Sequence, residues 1–338
     1  MSQIPALSAE KRCRTAAGVL FGLAVIVLLA FVSMSIGSRQ LTLAQVWEGL
    51  AAHDRSAASI IVWQLRLPRT VVAVVVGAAL GAAGVVMQAL TRNPLAEPGV
   101  LGVNAGASFA VVLAIAVGGV SAVSGYVWFS FIGSAAAALL VQTMARRRPG
   151  AGHARLVLAG VALAAALNAV TGTVTMYDTA AFDSYRFWTL GSFADRDLAT
   201  FAWTTPFIAA GLLIALACGR SLNVLALGDE QATALGARLG LVRAASLVAI
   251  TLLCGAATAA AGPIGFVGLV VPHVLRLVVG PDQRRLLPLS IVGGPILVLA
   301  ADIAGRVITR PDEIEAGVVT AFVGAPVLLS LVVYRRGR

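Results

Sequence analysis

The chain has 338 residues, 59% hydrophobic and 12% charged, with a mean hydropathy of +0.92. Soluble domains carry about a quarter charged residues, so a soluble globular fold is excluded and the chain reads as an all-α polytopic membrane protein. The net charge of +10 is assigned to arginines at the membrane faces, not to nucleic-acid binding. Three scattered cysteines (Cys13, Cys218, Cys254) supply neither a disulfide framework nor a metal cluster.

Residues 1–15 form a short basic tail with Lys11, Arg12 and Arg14. The apolar run that follows, at about 16–36, exceeds the ~7–15-residue core of a signal peptide, so an uncleaved first span is expected. Residues 37–65 are mixed, with a surface helix over LTLAQVWEGL (41–50). RLPR (66–69) leads into a second span at about 70–90, where Gly77 and Gly81 have helix-packing spacing.

QALTRNPLAEPGVLGVNAG (88–106) is a tight turn with one basic residue, Arg92, and one acid, Glu97. Pro94 and Pro98 remove backbone donors and stop the preceding helix. Gly102 and Gly106 let the next helix pack closely. Further spans are expected at about 99–118, 126–145, 155–176, 201–219, 241–261, 266–279, 286–308 and 317–334. That makes about ten, each near the length that crosses a core of ~30 Å.

Ten spans put both termini on one side, which also receives most of the arginines and is therefore cytoplasmic. Spans two to five and seven to ten would run in opposite senses. Each set has a Gly/Pro-rich turn after its first member, NPLAEPG (93–99) and GPIGFVG (262–268). This suggests an inverted repeat within a single transmembrane domain, 1–338.

A phosphate-binding loop needs a Gly-Lys pair, and the only lysine is Lys11. Ion-coupled carriers use ionisable residues at mid-membrane, and these are few. Asp302 and Arg306, one helical turn apart, are either an ion pair or a functional pair. His53, His153 and His273 are too scattered to ligate free metal. The energy source must therefore be another subunit.

Residues 220–240, RSLNVLALGDEQATALGARLG, read as two short helices broken at Gly228. Asp229 and Glu230 open the second, where the helix dipole favours acids. Ala232, Leu235 and Leu239 form its apolar face. That helix either lies on its own membrane face or seats in a partner, and the residues alone weigh these equally.

The order RLPR (66–69), LTRNPLAEPGVLGVNAGASF (90–109), LVLAGVALAA (156–165), LALGDEQATALGARLG (225–240), AGPIGFVGLVVPHVLRLVVGPDQRRLLPLS (261–290) and VVTAFVGAPVLL (318–329) resembles the FecCD/BtuC-type permeases. These are subunits of bacterial ABC importers for ferric siderophores, haem and vitamin B12. The similarity covers nearly the whole chain. The stretches 90–109, RFWTLGS (186–192) and AITLLCGAATAAAGPIGF (249–266) are most similar to the ferric-enterobactin branch.

The resemblance implies a BtuC-like fold of ten helices in the bacterial inner membrane, with both termini cytoplasmic. It implies a second permease, paralogous rather than identical, with the pathway at their interface. Two ATPase subunits, which carry the ATP and Mg, and an external binding protein complete the assembly. The chain itself would be non-catalytic and hold no cofactor. Membrane lipid would surround it, and nucleic acid plays no part.

By this resemblance Arg66, Arg69 and Arg306 dock the binding protein. Asn93, Leu95, His153 and Ala154 form the cytoplasmic gate. Leu227, Gly228, Asp229, Glu230, Ala234, Leu235 and Gly236 couple to the ATPase. The implied cargo is an intact ferric siderophore of the catecholate type, with haem and cobalamin as alternatives. A stand-alone channel or carrier should show buried acids, and an intramembrane enzyme a polar constellation at helical spacing. The sequence displays neither.

Overall fold

A computed structural model describes residues 4–336 apart from Ser38, His53, Arg55, 121–122, 147–151, Asp195 and Pro311, and every regular element among them is helical. The chain opens with α1 (Ile4–Ser35) and a surface helix α2 (Leu43–Ala52). A short α3 (Ala57–Ile60) continues through a π turn (Ile61–Arg66) into α4 (Leu67–Thr91). After a 3-10 turn (Pro98–Leu101) come α5 (Val103–Ala116), α6 (Val123–Arg146), α7 (Gly152–Tyr177) and α8 (Thr179–Trp188). The second half comprises α9 (Leu198–Ala226), α10 (Asp229–Ala234), α11 (Leu239–Ala261), α12 (Val267–Val279), α13 (Gln283–Ile308) and α14 (Ala316–Arg336).

The expected count of about ten spans is corrected. Seven described helices are long and apolar enough to cross a membrane: α1, α3–α4 taken together, α6, α7, α9, α11 and α13. Two predicted spans fold as shorter apolar helices, Val103–Ala116 and Val267–Val279, and the apolar part of α14 among the described residues is Ala316–Ser330. At ~1.5 Å per residue, the 14 residues of α5 and the 13 of α12 reach only ~20 Å.

The physical reason lies in the turns. Pro98–Leu101 forms a 3-10 turn closed by Gly102 at φ 76°, and Gly262–Phe266 is irregular, ending in Phe266 at φ 67°. The predicted span 99–118 counts residues 99–102 in its length, whereas 266–279 is already short and is still counted as a crossing. Such backbone is tolerated among spanning helices where protein buries it. The second member of each predicted quartet, α5 and α12, is one of the shorter helices.

α4 is the axis of the bundle. Of its apolar window 83% is buried, against 6% for the peripheral α1. Its Ala, Val and Gly side chains let neighbours approach to backbone contact. A Cβ on Gly77 would sit 2.6 Å from the Pro295 nitrogen, and one on Gly84 would lie 2.0 Å from the Gly268 carbonyl oxygen. Through these contacts α4 packs on α13 and on the start of α12. Its 25 residues span ~37 Å, with Arg69 near one end and Arg92 just past the other.

Residues 220–226 continue α9 and are not a separate short helix. Gly228, at φ 112°, breaks the chain as expected, and Gly236, at φ 78°, breaks it again. α10 between them has only six residues. That is too short for the apolar stripe expected of Ala232, Leu235 and Leu239. Ala232 points inward at 0% exposure, whereas Leu235 is 66% exposed.

Candidate functional site

At the first end of α4 three arginines and two acids form one network. Arg69 donates from Nε and Nη2 to Asp302 Oδ1 at 3.1 and 2.8 Å, and from Nη1 to Glu313 Oε2 at 2.6 Å. Arg306 Nη2 reaches the other Asp302 oxygen at 2.8 Å. It also donates to the Ser33 hydroxyl at 2.6 Å, and its Nη1 donates to the Ser33 and Ile36 carbonyls at 2.8 and 2.6 Å. Arg66 donates to the Met34 carbonyl at 2.5 Å and to the Arg39 carbonyl.

Asp302 is 1% exposed and Arg306 3%. Buried charges persist only when paired and hydrogen-bonded; Asp302, Arg69 and Arg306 are both, whereas Arg66, also buried, has only the Met34 and Arg39 carbonyls. The i,i+4 pair expected from spacing is present, enlarged by Arg69. The three arginines expected to dock a partner thus tie α1, α4 and α13 together. Beside them a hollow of about 580 Å³, lined in part by Arg39, Arg196, Asp197 and Glu313, opens the network to solvent. Asp197 caps α9, and hydrogen bonds from the Thr200 hydroxyl and N–H hold its carboxyl below the usual carboxylate range.

At the other end Arg92 adopts a left-handed conformation, φ 51°, just past α4. Its Nε donates to the Leu225 carbonyl at 2.9 Å and its Nη2 to Asp229 Oδ1. Arg243, on α11, donates to Asp229 Oδ2 at 2.6 Å. Partial burial pushes the Asp229 carboxyl up, but hydrogen bonds from Arg243 and Arg92 outweigh it and hold the group below its ordinary range.

This joins two groups of expected site residues. Asn93, exposed, turns the chain by accepting the Leu95 N–H at 3.0 Å. Asp229 opens α10, with Glu230 and Ala234 also exposed. Leu227 and Leu235 are exposed on either side of that helix, and Gly228 and Gly236 flank it. His153 and Ala154 lie in the first turn of α7, but their side chains are outside the described residues.

Between the two ends, sequence reasoning assigned no partner to Gln88, Glu97 or Arg276. Gln88 is buried, donates to the Gly268 carbonyl at 3.1 Å and accepts from Arg276 at 2.8 Å, so it clamps α12 along its length. Glu97 accepts the backbone N–H of Phe266, the residue before α12. A signal was available, since Glu97 is the only acid between Asp54 and Asp178. Among the described residues no group of three or more His, Cys, Asp or Glu could hold a metal ion. The chemistry on offer is positioning by ion pairs and hydrogen bonds.

Comparisons with known proteins agree with this architecture. The ferric enterobactin transport system permease protein FepD of Escherichia coli (strain K12) is 45% identical over 312 residues, covering 92% of this chain and 93% of the relative. The vitamin B12 import system permease protein BtuC of Serratia proteamaculans (strain 568) is 41% identical over 302 residues, covering 86% and 87%. A solved inward-facing structure of a metal-chelate type ABC transporter superposes with a TM-score of 0.81 at 28% identity, covering 95% of this chain and 99% of that one. Residues 25–334 match the FecCD transport family, and the chain belongs to that family of multi-pass membrane permeases.

Proposed function

We propose that this chain is one permease of an ABC importer that passes an intact ferric siderophore, of the catecholate type, into the cytoplasm. The observation that carries the mechanism is the Arg92–Asp229–Arg243 cluster, which links the turn after α4 to α10. A separate ATPase grips α10 through Leu227 and Leu235, and the ion pairs pass its movement to the gate turn at Asn93 and Leu95. His153 and Ala154 complete that gate. The ATP and Mg belong to the partner, and this chain is non-catalytic.

The external binding protein docks on the face that carries Arg66, Arg69 and Arg306. Of these, Arg69 has the accessible partner, because Glu313 is 31% exposed. The second permease is a paralogue. With the N-terminus cytoplasmic, α1 runs outward and α4 runs back, so the Arg92 end of α4 faces the cytoplasm and the Arg69 end faces outward. The substrate class is supported by the 45% identity to a ferric enterobactin permease. Cobalamin is the second reading, favoured by the 41% identity to a vitamin B12 permease.

The test is reconstitution with the neighbouring permease, ATPase and binding protein in proteoliposomes. Uptake of radioactive iron given as a ferric catecholate is expected, together with stimulated ATP hydrolysis. Transport of cobalamin or haem with no uptake of ferric catecholate would overturn the substrate assignment. Full transport by self-pairs would overturn the paralogous dimer.

A further inference from the structure

A second polar feature lies apart from the charged clusters. An open cavity of about 420 Å³ is lined by α5, α7 and α8 beside the two irregular turns, at Gly99 and Pro263. Three elements each give it a pair of polar side chains one helical turn apart. These are Asn104 and Ser108 from α5, Asn168 and Thr171 from α7, and Tyr185 and Thr189 from α8 and the residue after it. None of its lining residues is charged.

The positions of these groups argue against chance. Asn168 is exposed although it sits on a helix of spanning length. Exposure alone does not mark it, since Leu158, Val161 and Met176 of α7 are exposed as well; but an amide in hydrocarbon stays unsatisfied at a cost of several kcal/mol, and the polar cavity is where it finds partners. Asn104 is held in place, because its Oδ1 accepts from the Thr258 hydroxyl at 3.1 Å and its amide N–H groups stay available. The Thr189 hydroxyl lies 3.5 Å from that of Tyr185. The volume falls within the ~300–1,000 Å³ of small-molecule pockets.

We propose that this cavity is a hydrated resting site on the translocation path, which holds an oxygen-rich chelate surface through neutral amide and hydroxyl donors. The ligand half of this inference rests on the importer reading above. Neutral walls suit passage. A site must bind well enough to be entered and weakly enough to be left, and a fixed countercharge would trap an anionic chelate. Asn168 and Asn104 are its principal contacts.

The test uses the complete transporter in proteoliposomes with Cys13, Cys218 and Cys254 replaced by alanine. Gly172 lines the cavity, and a Cβ there meets no atom within 4 Å, so Gly172→Cys adds a thiol without strain. Phe21→Cys, on the 73%-exposed outer face of α1, is the lipid-facing control. A water-soluble methanethiosulfonate is expected to label Gly172→Cys and to spare Phe21→Cys. Labelling should slow several-fold during turnover with binding protein loaded with ferric catecholate, cobalamin or hemin, whichever is transported.

Asn168→Leu should lower uptake about tenfold, as expected for losing one hydrogen-bonding group that meets the ligand, and Asn168→Gln should restore it. Gly172→Cys as unreactive as Phe21→Cys would overturn the hydrated cavity. Labelling that no transported ligand slows, with Asn168→Leu transporting normally, would overturn the ligand site. Failure of wild-type protein to move ferric catecholate strikes the substrate reading instead and leaves the labelling result to stand by itself.

Discussion

Asp302 is the residue whose loss should cost most. It is 1% exposed and bridges two guanidinium groups, at 2.8 Å from Arg69 and 2.8 Å from Arg306. Asp302→Asn keeps the shape and one acceptor oxygen but removes the negative charge. Arg306 is then left buried with only neutral partners, the Ser33 and Ile36 carbonyls and the Ser33 hydroxyl. Breaking a buried pair by removing one partner costs about 3–5 kcal/mol. Glu313 still neutralises Arg69 from the solvent side, so the lower part of that range, about 3 kcal/mol, is expected. The assay is thermal unfolding of the purified protein in detergent, followed by loss of the monodisperse chromatographic peak. The Asp302→Asn midpoint should fall by several degrees. Asp302→Leu combined with Arg306→Met should recover much of it, since an apolar pair of similar volume avoids the desolvation cost. An unchanged midpoint for Asp302→Asn would refute the view that this network holds α1, α4 and α13 together.

Three further outcomes are expected. Glu313→Ala frees Arg69 Nη1 and should strengthen capture of an acidic binding protein in a low-salt pull-down; Arg306→Glu is no clean docking test, because that side chain is buried. Ala234→Gly with Leu235→Ala should leave membrane insertion and external docking intact while substrate uptake and stimulated ATP hydrolysis fall together, because Leu235 is an exposed anchor and Ala234 lies in the last turn of α10. Asp229 has a depressed carboxyl pKa in the folded protein, so its ion pairs contribute fully above the ordinary value of ~3.9 and are lost only as pH falls through the still lower folded value. Coupling measured between pH 6 and 8 should therefore be flat on its account in wild type, and an Asp229→Asn variant should be weakly coupled throughout that interval.

Much of the helical layout was legible, because apolar runs and their Gly and Pro punctuation are local signals. The break at Gly228 and the Asp302–Arg306 spacing are of this kind. The span count was not, because residues 99–102 are as apolar as the helix they precede and differ only in backbone conformation, and because the 266–279 run, though short, was counted as a crossing. α8 escaped notice because TAAFDSYRFW is too polar to resemble a span. The side-chain partners were invisible for a different reason. Arg69 and Asp302 are 233 residues apart, and Arg92 and Asp229 are 137 apart. No periodicity reports such pairs. The inward turn of Ala232 was likewise unreadable, since a helix under two turns is oriented by its flanking glycines and by Asp229, not by its own stripe.

The polar residues of this chain collect at its joints. α12 begins after a left-handed residue, Phe266, where no regular backbone partner serves the first N–H groups. Glu97 supplies an acceptor there, and a carboxylate at a helix N-terminus is favoured by the dipole as well. Gln88 then pins the first turn of α12 through the Gly268 carbonyl and its last turn through Arg276. Arg92, four residues beyond Gln88, fixes the end of α4 to α10. The segment 88–97 is thus attached to α12 at its beginning and end and to α10 in between. Its backbone is interrupted by Pro94 and bounded by Pro98, so these attachments set its shape. A displacement of α10 must either move this segment or break the Arg92–Asp229 pair. The pair is screened by solvent, its side chains being 31% and 46% exposed, and a second bond, from Arg92 Nε to the Leu225 carbonyl at 2.9 Å, holds the same turn to the end of α9. That is why the lone acid and lone arginine of an otherwise apolar stretch sit where they do.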